Sequence, residues 1–305
     1  MSKLIKDDTK FNQYTTQKVL QETFDTNGFL NVQLVNASGS TVLEIPHHGI
    51  GVFSQPFLYV LAEGLLPMHE PFRKSGFNSD VDNQLEDVWD VGGIYTFPDV
   101  PMQMEVVSSS AQDSSSSVGV RKVEVHYLDA FYNSHEEIIE LQGVTPVTTQ
   151  ATDILRINDF HIVEVGSSGS LAGANGNIDI RHIDNSPIYG RIPAGTNSCL
   201  ACVTTVPASS SLYLTSWEFD VGAATANHFT QGRLQATVNN VDDILPGVFV
   251  TQVITIATDA ATKHVFDTPI KIPGKADVKV SAISDGGTAN VNVASTLYGW
   301  YAVGH

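Results

Sequence analysis

Basic side chains are scarce in this sequence. Its 305 residues contain 16 lysines and arginines against 33 aspartates and glutamates, which gives a formal net charge of -17. A nucleic-acid-binding protein needs a basic surface to neutralise phosphates, and attraction to anionic lipid depends on the same sign of charge. The charge balance therefore argues against nucleic acid and against a membrane surface as partners.

Cysteines and long apolar runs are also scarce. The two cysteines, Cys199 and Cys202, are too few for a disulfide scaffold. The most apolar stretch, from Ile50 to Leu66, is interrupted by serine, glutamine, proline and glutamate, so it is not expected to span a bilayer. The first ten residues are polar and lack the apolar core of a secretory signal. We therefore expect a folded protein made in a reducing cytoplasm.

The acidic residues are concentrated in the middle of the chain. Residues 78–164 contain 16 acidic and 3 basic side chains, a local net charge of 3 − 16 = −13. One interpretation is a solvated, repulsive surface that keeps the protein soluble. The other is a face that meets a basic partner or binds cations.

Helical periodicity is nearly absent, and alternation of apolar and polar residues takes its place. Residues 122–127, KVEVHY, put apolar side chains on one face and charged side chains on the other. Residues 177–181 and 277–280 alternate likewise, and residues 248–258 and 291–303 are rich in β-branched and aromatic side chains. Roughly a dozen such strands without crossover helices predict an all-β protein of antiparallel β-sandwiches, jelly-roll-like in organisation.

Turn signals separate the predicted strands. Residues 129–133 predict a hairpin, and the serine-rich residues 108–117 predict a mobile surface loop. Proline turns such as Val206-Pro207 mark strand boundaries. We expect an amino-terminal arm or small β element over residues 1–75 and a β-sandwich region over residues 76–305. That region is either one elaborated jelly roll or two packed sandwiches divided near residue 206.

The Cys199-Leu200-Ala201-Cys202 segment has the spacing of a redox or metal-binding pair. Redox pairs sit at helix amino termini, whereas this segment has the composition of a strand, on which side chains three residues apart point to opposite faces. No second cysteine pair completes a zinc site. We interpret the two cysteines as partly buried thiols without a redox or metal role.

Histidines offer a second candidate cluster, His47 and His48 with His69 and Glu70. Adjacent histidines diverge on an extended chain, and the HExxH spacing of zinc enzymes is missing. Structural or exposed histidines are the favoured interpretation.

The acidic run from Asp80 to Asp87 resembles a cation-binding loop but lacks the pattern of an EF-hand, since Leu85 stands where that loop requires glycine. It is either an irregular calcium site or an Asx-rich turn.

Six aromatic residues form either a sugar-stacking platform or, as we favour, core and subunit contacts. They are Trp89, Tyr95, Phe97, Trp217, Trp300 and Tyr301. We predict no catalytic, cofactor-binding or metal-binding residues and no cofactor.

Three consecutive strings carry a resemblance to a known family: residues 62–67 (AEGLLP), 74–82 (KSGFNSDVD) and 86–95 (EDVWDVGGIY). They are similar to structural proteins of tailed bacteriophage virions, which share a string close to GxNxDxD…EDxWxxGGxY. The resemblance extends from about Ala62 to Ser284. It also takes in residues 123–125, 192–195, 206–208, 214–217 and 269–273.

This resemblance implies a virion component without enzymatic activity: a head decoration, a head fibre or a tail-associated protein built of β-sandwiches. It implies assembly in the host cytoplasm, binding to the major capsid protein or another virion protein, and a homo-oligomer, which capsid symmetry favours as a trimer. We expect the stretch from Ile50 to Leu66 to be buried against a neighbouring subunit. The alternatives are a tail or fibre protein that binds host surface glycans through exposed aromatic residues and, far behind, a glycan-degrading enzyme.

Overall fold

The computed structural model of the chain describes residues 3–5, 19–24, 30–35, 41–45, 57–167, 173–222, 229–237, 247–285 and 290–304. Contacts between Cα atoms divide the chain into two compact units, Met1–Val60 and Leu61–His305. One described helix, α1 (Phe57–Ala62), includes the point of division. None of the described helical residues form a segment with the length and hydropathy needed to cross a bilayer.

The first unit contains one antiparallel sheet. Its strands, in sheet order, are β1 (Lys3–Ile5), β2 (Val19–Phe24), β3 (Leu30–Val35) and β4 (Thr41–Ile45). The residues from Ile50 to Pro56, which belong to the predicted attachment stretch, lie outside the described residues. The prediction of an attachment arm over residues 1–75 therefore remains a prediction.

The second unit is built almost entirely of strands. They are β5 (His69–Val81), β6 (Glu86–Asp87), β7 (Met104–Ser108), β8 (Val120–Leu128), β9 (Ser134–Glu140), β10 (Val147–Thr148), β11 (Arg156–Val165), β12 (Ile178–His182), β13 (Ile188–Ile192), β14 (Val203–Thr205), β15 (Ser210–Val221), β16 (Thr230–Thr237), β17 (Phe249–Ala257), β18 (Ala261–Ile272), β19 (Asp277–Ser284) and β20 (Val291–Val303). Every strand pairing is antiparallel, which confirms the predicted all-β fold class.

Two sheets made from both ends of the second unit enclose one core. One sheet has the order β18-β15-β20-β5, and the other has the order β14-β19-β16-β17 with β6 also paired to β19. Strand β15 alternates as a half-buried strand should: the buried Trp217 and Phe219 flank the partly exposed Glu218. We call this part the terminal sandwich.

The chain between β6 and β14 forms a second pair of sheets with its own core. These sheets have the orders β10-β7-β12-β13 and β11-β8-β9. The alternation read in residues 122–127 is realised in β8, where Val123 and Val125 are fully buried. The predicted hairpin joins β8 to β9, with Asp129 accepting hydrogen bonds from the backbone amides of Phe131 (2.8 Å) and Asn133 (2.9 Å). We call this part the inserted sandwich.

The chain returns from the inserted to the terminal sandwich through the segment that contains both cysteines. Cys199 is buried in the core of the inserted sandwich, whereas Cys202 is buried in the core of the terminal sandwich. Extended backbone explains this placement because side chains three residues apart leave it on opposite faces. Regular strand begins only at Val203, later than the composition indicated.

The serine-rich residues 108–117 are organised around a buried carboxylate, a feature that the prediction of a mobile loop did not include. Asp113 is fully buried within this loop. Five donors surround its two oxygens: Ser108 Oγ (2.7 Å), Val120 N (3.1 Å), Asn175 N (3.1 Å), Asn175 Nδ2 (3.2 Å) and Gly176 N (2.9 Å). The carboxylate thereby ties the loop to the start of β8 and to the chain before β12.

Candidate functional site

The second and third phage-like strings, residues 74–82 and 86–95, are joined by hydrogen bonds. Asn78 Nδ2 donates to Glu86 Oε2 at 3.0 Å and to the carbonyl of Asp87 at 3.1 Å. Glu86 Oε2 also accepts from the amide of Gly93 at 2.9 Å, and Trp89 Nε1 donates to the Gly93 carbonyl at 3.1 Å. Gly93 has a φ of +68°, which glycine adopts without strain. The polar side chains of these strings therefore hydrogen-bond within the strings and stabilise the fold.

Asp87 attaches these strings to the terminal sandwich. Its buried carboxylate accepts from Lys279 Nζ at 3.0 Å, from Ser281 Oγ at 2.5 Å and from the amide of Tyr95 at 2.8 Å. These three donors, one of them the cationic Lys279, offset the free-energy cost of removing the carboxylate from water. Four of the 16 acids of residues 78–164 are likewise buried: Asp87, Glu105, Asp113 and Asp129. The other twelve are partly or fully exposed, as expected for a solvated acidic surface.

The acidic run from Asp80 to Asp87 adopts Asx-type turns. Asn78 Oδ1 accepts from the amide of Asp80 at 2.8 Å, and Asp82 Oδ1 accepts from the amide of Gln84 at 2.7 Å. Side-chain oxygens that accept from the amide two residues later are the hallmark of such turns. The geometry thus matches the Asx-rich turn rather than the calcium loop.

The other residues that the sequence singled out do not come together as a site. Burial raises the pKa of both Cys199 and Cys202 to about 12, so both are neutral thiols. His69 donates from Nδ1 to the carbonyl of Pro67 at 2.9 Å, and His47 and His48 lie outside the described residues. Of the six aromatic residues, three are buried in the two cores and three are half-buried. The buried ones are Trp89, Tyr95 and Trp217, and the half-buried ones are Phe97, Trp300 and Tyr301.

An edge strand of the terminal sandwich presents an aliphatic row to solvent. Among the described strands, β17 pairs only with β16 and therefore ends its sheet. Its alternation points Val250, Ile254 and Ile256 outward, where they are 42%, 53% and 60% exposed. The strand, FVTQVITIA, has no charged residue and no proline. Natural edge strands usually carry such residues because an open edge otherwise pairs with another chain.

The edge of the opposite sheet shows the contrast. β18 also ends its sheet, but it contains Lys263, Lys271 and Pro269, which hinder pairing with a further strand. Val265 is 70% exposed on this strand. Only β17 of these two edges is both apolar and unprotected, so it is the stronger candidate for a contact with another polypeptide.

A second candidate lies on the exposed face of the inserted sandwich. β8 carries Glu124 and His126, and the antiparallel register sets His161 opposite Glu124 and Asp159 opposite His126 on β11. His126 Nε2 lies 2.7 Å from Glu124 Oε1, His161 Nε2 lies 4.0 Å from Glu124 Oε2, and His161 Nδ1 lies 3.0 Å from Asp159 Oδ2. The two imidazole rings have centroids 5.5 Å apart. We call these four residues the histidine–carboxylate quartet.

This quartet was not predicted from the sequence. Its signal is a pair of acid-x-histidine triplets, Glu124-Val125-His126 and Asp159-Phe160-His161, each on an alternating strand. Alternation places the acid and the histidine of each triplet on one face. Only the strand register, which the sequence does not show, brings the two triplets together.

A solvent-open cavity of about 720 Å³, lined by both polar and apolar groups, adjoins the quartet. It is lined by residues of β5, β8, β9, β11, β14, β15 and β20 and by parts of the loops beside them. Charged groups of both signs line it, including Arg73, Lys74, Glu136 and Asp159. Lys74 Nζ lies 4.0 Å from Asp159 Oδ1 and donates to the carbonyl of Asn158.

Comparisons with known proteins do not identify a function for this chain. No family model matches the chain, and no curated protein matches it. Solved structures of infectious bursal disease virus are similar at low scores. The Gt strain structure is 13% identical over 81% of this chain and 77% of that chain, with a TM-score of 0.18. The structure of virus-derived T=1 particles is 12% identical over 94% and 62%, with a TM-score of 0.17. Scores this low carry no argument about the function of this chain.

Proposed function

We propose that this protein is a non-enzymatic structural component of a tailed-phage virion, a capsid decoration or head-fibre protein bound to the major capsid protein. The observation that carries the proposal is the apolar, charge-free edge of β17, with Val250, Ile254 and Ile256 facing solvent. On a monomer such an edge promotes aggregation, because it can pair with another chain. In an assembly the same edge provides the contact that a neighbouring subunit covers.

The phage-like strings support the same proposal. Their polar residues, such as Asn78 and Glu86, bond to each other between the strings and leave no exposed constellation for catalysis there. The buried pair Arg156–Asp277 joins β11 of the inserted sandwich to β19 of the terminal sandwich, and the buried pair Asp87–Lys279 holds β6 on β19 within the terminal sandwich. Buried ion pairs within and between the sandwiches give a stiff body, as a particle component requires.

We propose that assembly is homo-oligomeric, with a trimer as the favoured form because capsid sites of three-fold symmetry accept trimers directly. The β17 edge is the proposed contact between copies. The stretch from Ile50 to Leu66 is the proposed contact with the capsid. Its described part includes Leu58 and Leu65, which are each 61% exposed.

The decisive experiment is the copy number of this protein per particle, measured by quantitative mass spectrometry on virions purified from the source. Hundreds of copies are expected for a capsid decoration. A small multiple of three, six or twelve would instead assign the chain to the tail, the neck or fibres. Absence from purified virions would overturn the proposal altogether.

The alternative function is a tail or fibre protein that binds host surface glycans. The observation in its favour is the cavity of about 720 Å³ beside the quartet, which falls within the size range of ligand sites. Binding of labelled protein to host cells would then saturate and would be lost in R73A, because Arg73 lines the cavity. A decoration protein shows no such binding.

A further inference from the structure

We propose that the histidine–carboxylate quartet binds one divalent transition-metal ion, Zn²⁺, through His126 Nε2, His161 Nε2 and a carboxylate oxygen of Glu124. The ligand atoms that these three residues offer all lie within 4.8 Å of one another. Ligands around tetrahedral zinc, bonded at about 2.0–2.1 Å, are separated by roughly 3.3 Å. Small side-chain rotations therefore suffice to close the three residues on a single ion.

The hydrogen bonding of His161 leaves two acceptor atoms facing each other, Nε2 of His161 and Oε2 of Glu124. A carboxylate can only accept, so the 3.0 Å contact with Asp159 Oδ2 places the proton of the neutral imidazole on Nδ1. Nε2 then carries a lone pair and faces Glu124 Oε2 at 4.0 Å. A cation between these two atoms satisfies both of them and removes the repulsion.

Asp159 is a positioning residue in this arrangement. Histidines that bind metals usually donate their second ring N–H to a carboxylate, which fixes the tautomer and raises the basicity of the ligating nitrogen. His161 makes that contact. His126 donates Nε2–H to Glu124 Oε1 at 2.7 Å in the metal-free arrangement, and it binds the ion after its proton moves to Nδ1.

The donor set selects the metal. Two imidazole nitrogens and one carboxylate oxygen suit Zn²⁺ and neighbouring first-row ions, whereas Ca²⁺ and Mg²⁺ prefer shells made only of oxygen. The ligands come from neighbouring strands of one sheet, so their spacing is fixed by the hydrogen-bonded register. Solvent water completes the coordination, because the three residues are half-buried on an accessible face.

The test is a calorimetric titration of the full-length, untagged chain with ZnCl₂ after chelator treatment and removal of the chelator. We expect one equivalent of Zn²⁺ to bind, and we expect H126Q, H161Q and E124Q each to weaken this binding at least about tenfold. D159N should weaken it by about tenfold, since it alters only the support of a ligand. CaCl₂ and MgCl₂ should give no binding at the quartet.

Two histidines elsewhere provide matched controls. His135 lies 3.1 Å from Asp129 and His182 lies 3.5 Å from Asp184, so each pairs with a single carboxylate but belongs to no cluster of three ligands in the described chain. H135Q and H182Q should bind Zn²⁺ as the wild type does. A wild-type chain that binds no Zn²⁺, or H126Q and H161Q variants that bind it unchanged, would overturn the proposal.

A spectroscopic measurement keeps the test valid if a variant fails to fold. The X-ray absorption spectrum of the Zn²⁺-loaded wild-type chain should show two imidazoles and oxygen ligands in the first shell. A shell of oxygen alone, or one that contains sulfur, would assign the ion to other residues and would also overturn the proposal.

Discussion

Arg156 and Asp277 form a two-pronged ion pair between the two sandwiches. The distances are 2.7 Å from Nε to Oδ1 and 2.9 Å from Nη2 to Oδ2, and both side chains are only 2% exposed. Arg156 also donates to the carbonyl of Pro98 and lies over the rings of Phe97 and Tyr132. Because a buried charge without its partner is very costly, the loss of one member of this pair should be worse than the loss of both.

We predict that D277N lowers the free energy of unfolding by about 3–5 kcal/mol. The substitution leaves the guanidinium buried without a counter-charge. The double variant R156M/D277N should lose less than the sum of the two single variants, because neither buried charge remains. Urea unfolding followed by tryptophan fluorescence measures all three values.

The matched control is the exposed pair of Lys263 and Glu218, whose Nζ and Oε1 atoms are also 2.7 Å apart. K263A should destabilise the protein far less than D277N does, since solvent screens that pair. If D277N were no more damaging than K263A, the buried pair would have no role in joining the sandwiches.

The second prediction concerns Asp113 and the serine-rich loop. Burial by itself would raise the pKa of this carboxyl, but the hydrogen bonds from Ser108, Asn175, Val120 and Gly176 outweigh burial and hold the pKa below its usual range. A folded-state pKa below the unfolded value stabilises the protein above the unfolded pKa. That contribution is lost as the pH falls through the folded pKa.

D113N should therefore destabilise the protein at pH 7 by about 1–3 kcal/mol and should flatten the acid-induced loss of stability below pH 4. It should also expose residues 108–117 to limited proteolysis, because the loop loses its central acceptor. D184N, at an 84%-exposed carboxylate, should change neither property. Equal cleavage rates in D113N and wild type would contradict the role assigned to Asp113.

The third prediction concerns Asp90, whose carboxylate accepts a hydrogen bond from the amide of Leu200. Burial raises its pKa to about 7, although this amide and the charges of Arg191 and Lys74 act in the opposite direction. The folded protein thus keeps a proton that the unfolded chain releases near pH 4. Asp90 therefore lowers stability as the pH rises from about 4 to about 7.

D90N should remove this penalty, because asparagine stays neutral and still offers an oxygen to Leu200. The unfolding free energy of D90N minus that of wild type should increase by at least about 1 kcal/mol from pH 5 to pH 8. Urea unfolding of both proteins at the two pH values provides the comparison. An identical pH dependence for the two proteins would show that Asp90 titrates normally.

The alternation of single strands could be predicted from the sequence, and the pairing of strands could not. Residues 122–127 and the hairpin at residues 129–133 were found because both signals are local. The terminal sandwich joins β5 to β20, strands at opposite ends of the second unit, and no local signal specifies that contact. The class of fold was therefore predictable, whereas its topology was not.

The same limit applies to the candidate sites. The exposed row on β17 is visible as an uncharged stretch, but its place at a sheet edge depends on the sheet order. The quartet depends on the register that sets His161 opposite Glu124. Composition also does not show which acids are internal: Asp87 and Asp113 are buried acceptors, whereas most acids of residues 78–164 are partly or fully exposed.

The fourth prediction concerns Gly76, the glycine of the second phage-like string. A Cβ atom added to Gly76 would overlap the amide nitrogen of Cys202 and the carbonyl oxygen of Val88. Both are backbone atoms, which cannot move aside as a flexible side chain could. G76A should therefore destabilise the protein by about 2 kcal/mol or more, which thermal unfolding would detect.

G64A is the control for this change. Gly64 has open space around its Cβ position, so its substitution adds only the cost of a φ of +66°, of order 1 kcal/mol. If G76A were as stable as wild type, the close approach of three backbone segments at Gly76 would not require glycine.

The last prediction tests the β17 edge. Ile254 faces solvent opposite Arg233 of β16, so I254K places a second cation beside an existing one and removes apolar area from the proposed contact between copies. A lysine at an open edge also hinders the addition of another strand. We expect the wild-type chain to be oligomeric by light scattering and I254K to be monomeric, with the same circular dichroism spectrum. V163K makes the same kind of change at an aliphatic residue that is 41% exposed on β11, and it should remain oligomeric. A monomeric wild type, or an oligomeric I254K, would move the subunit contact away from β17.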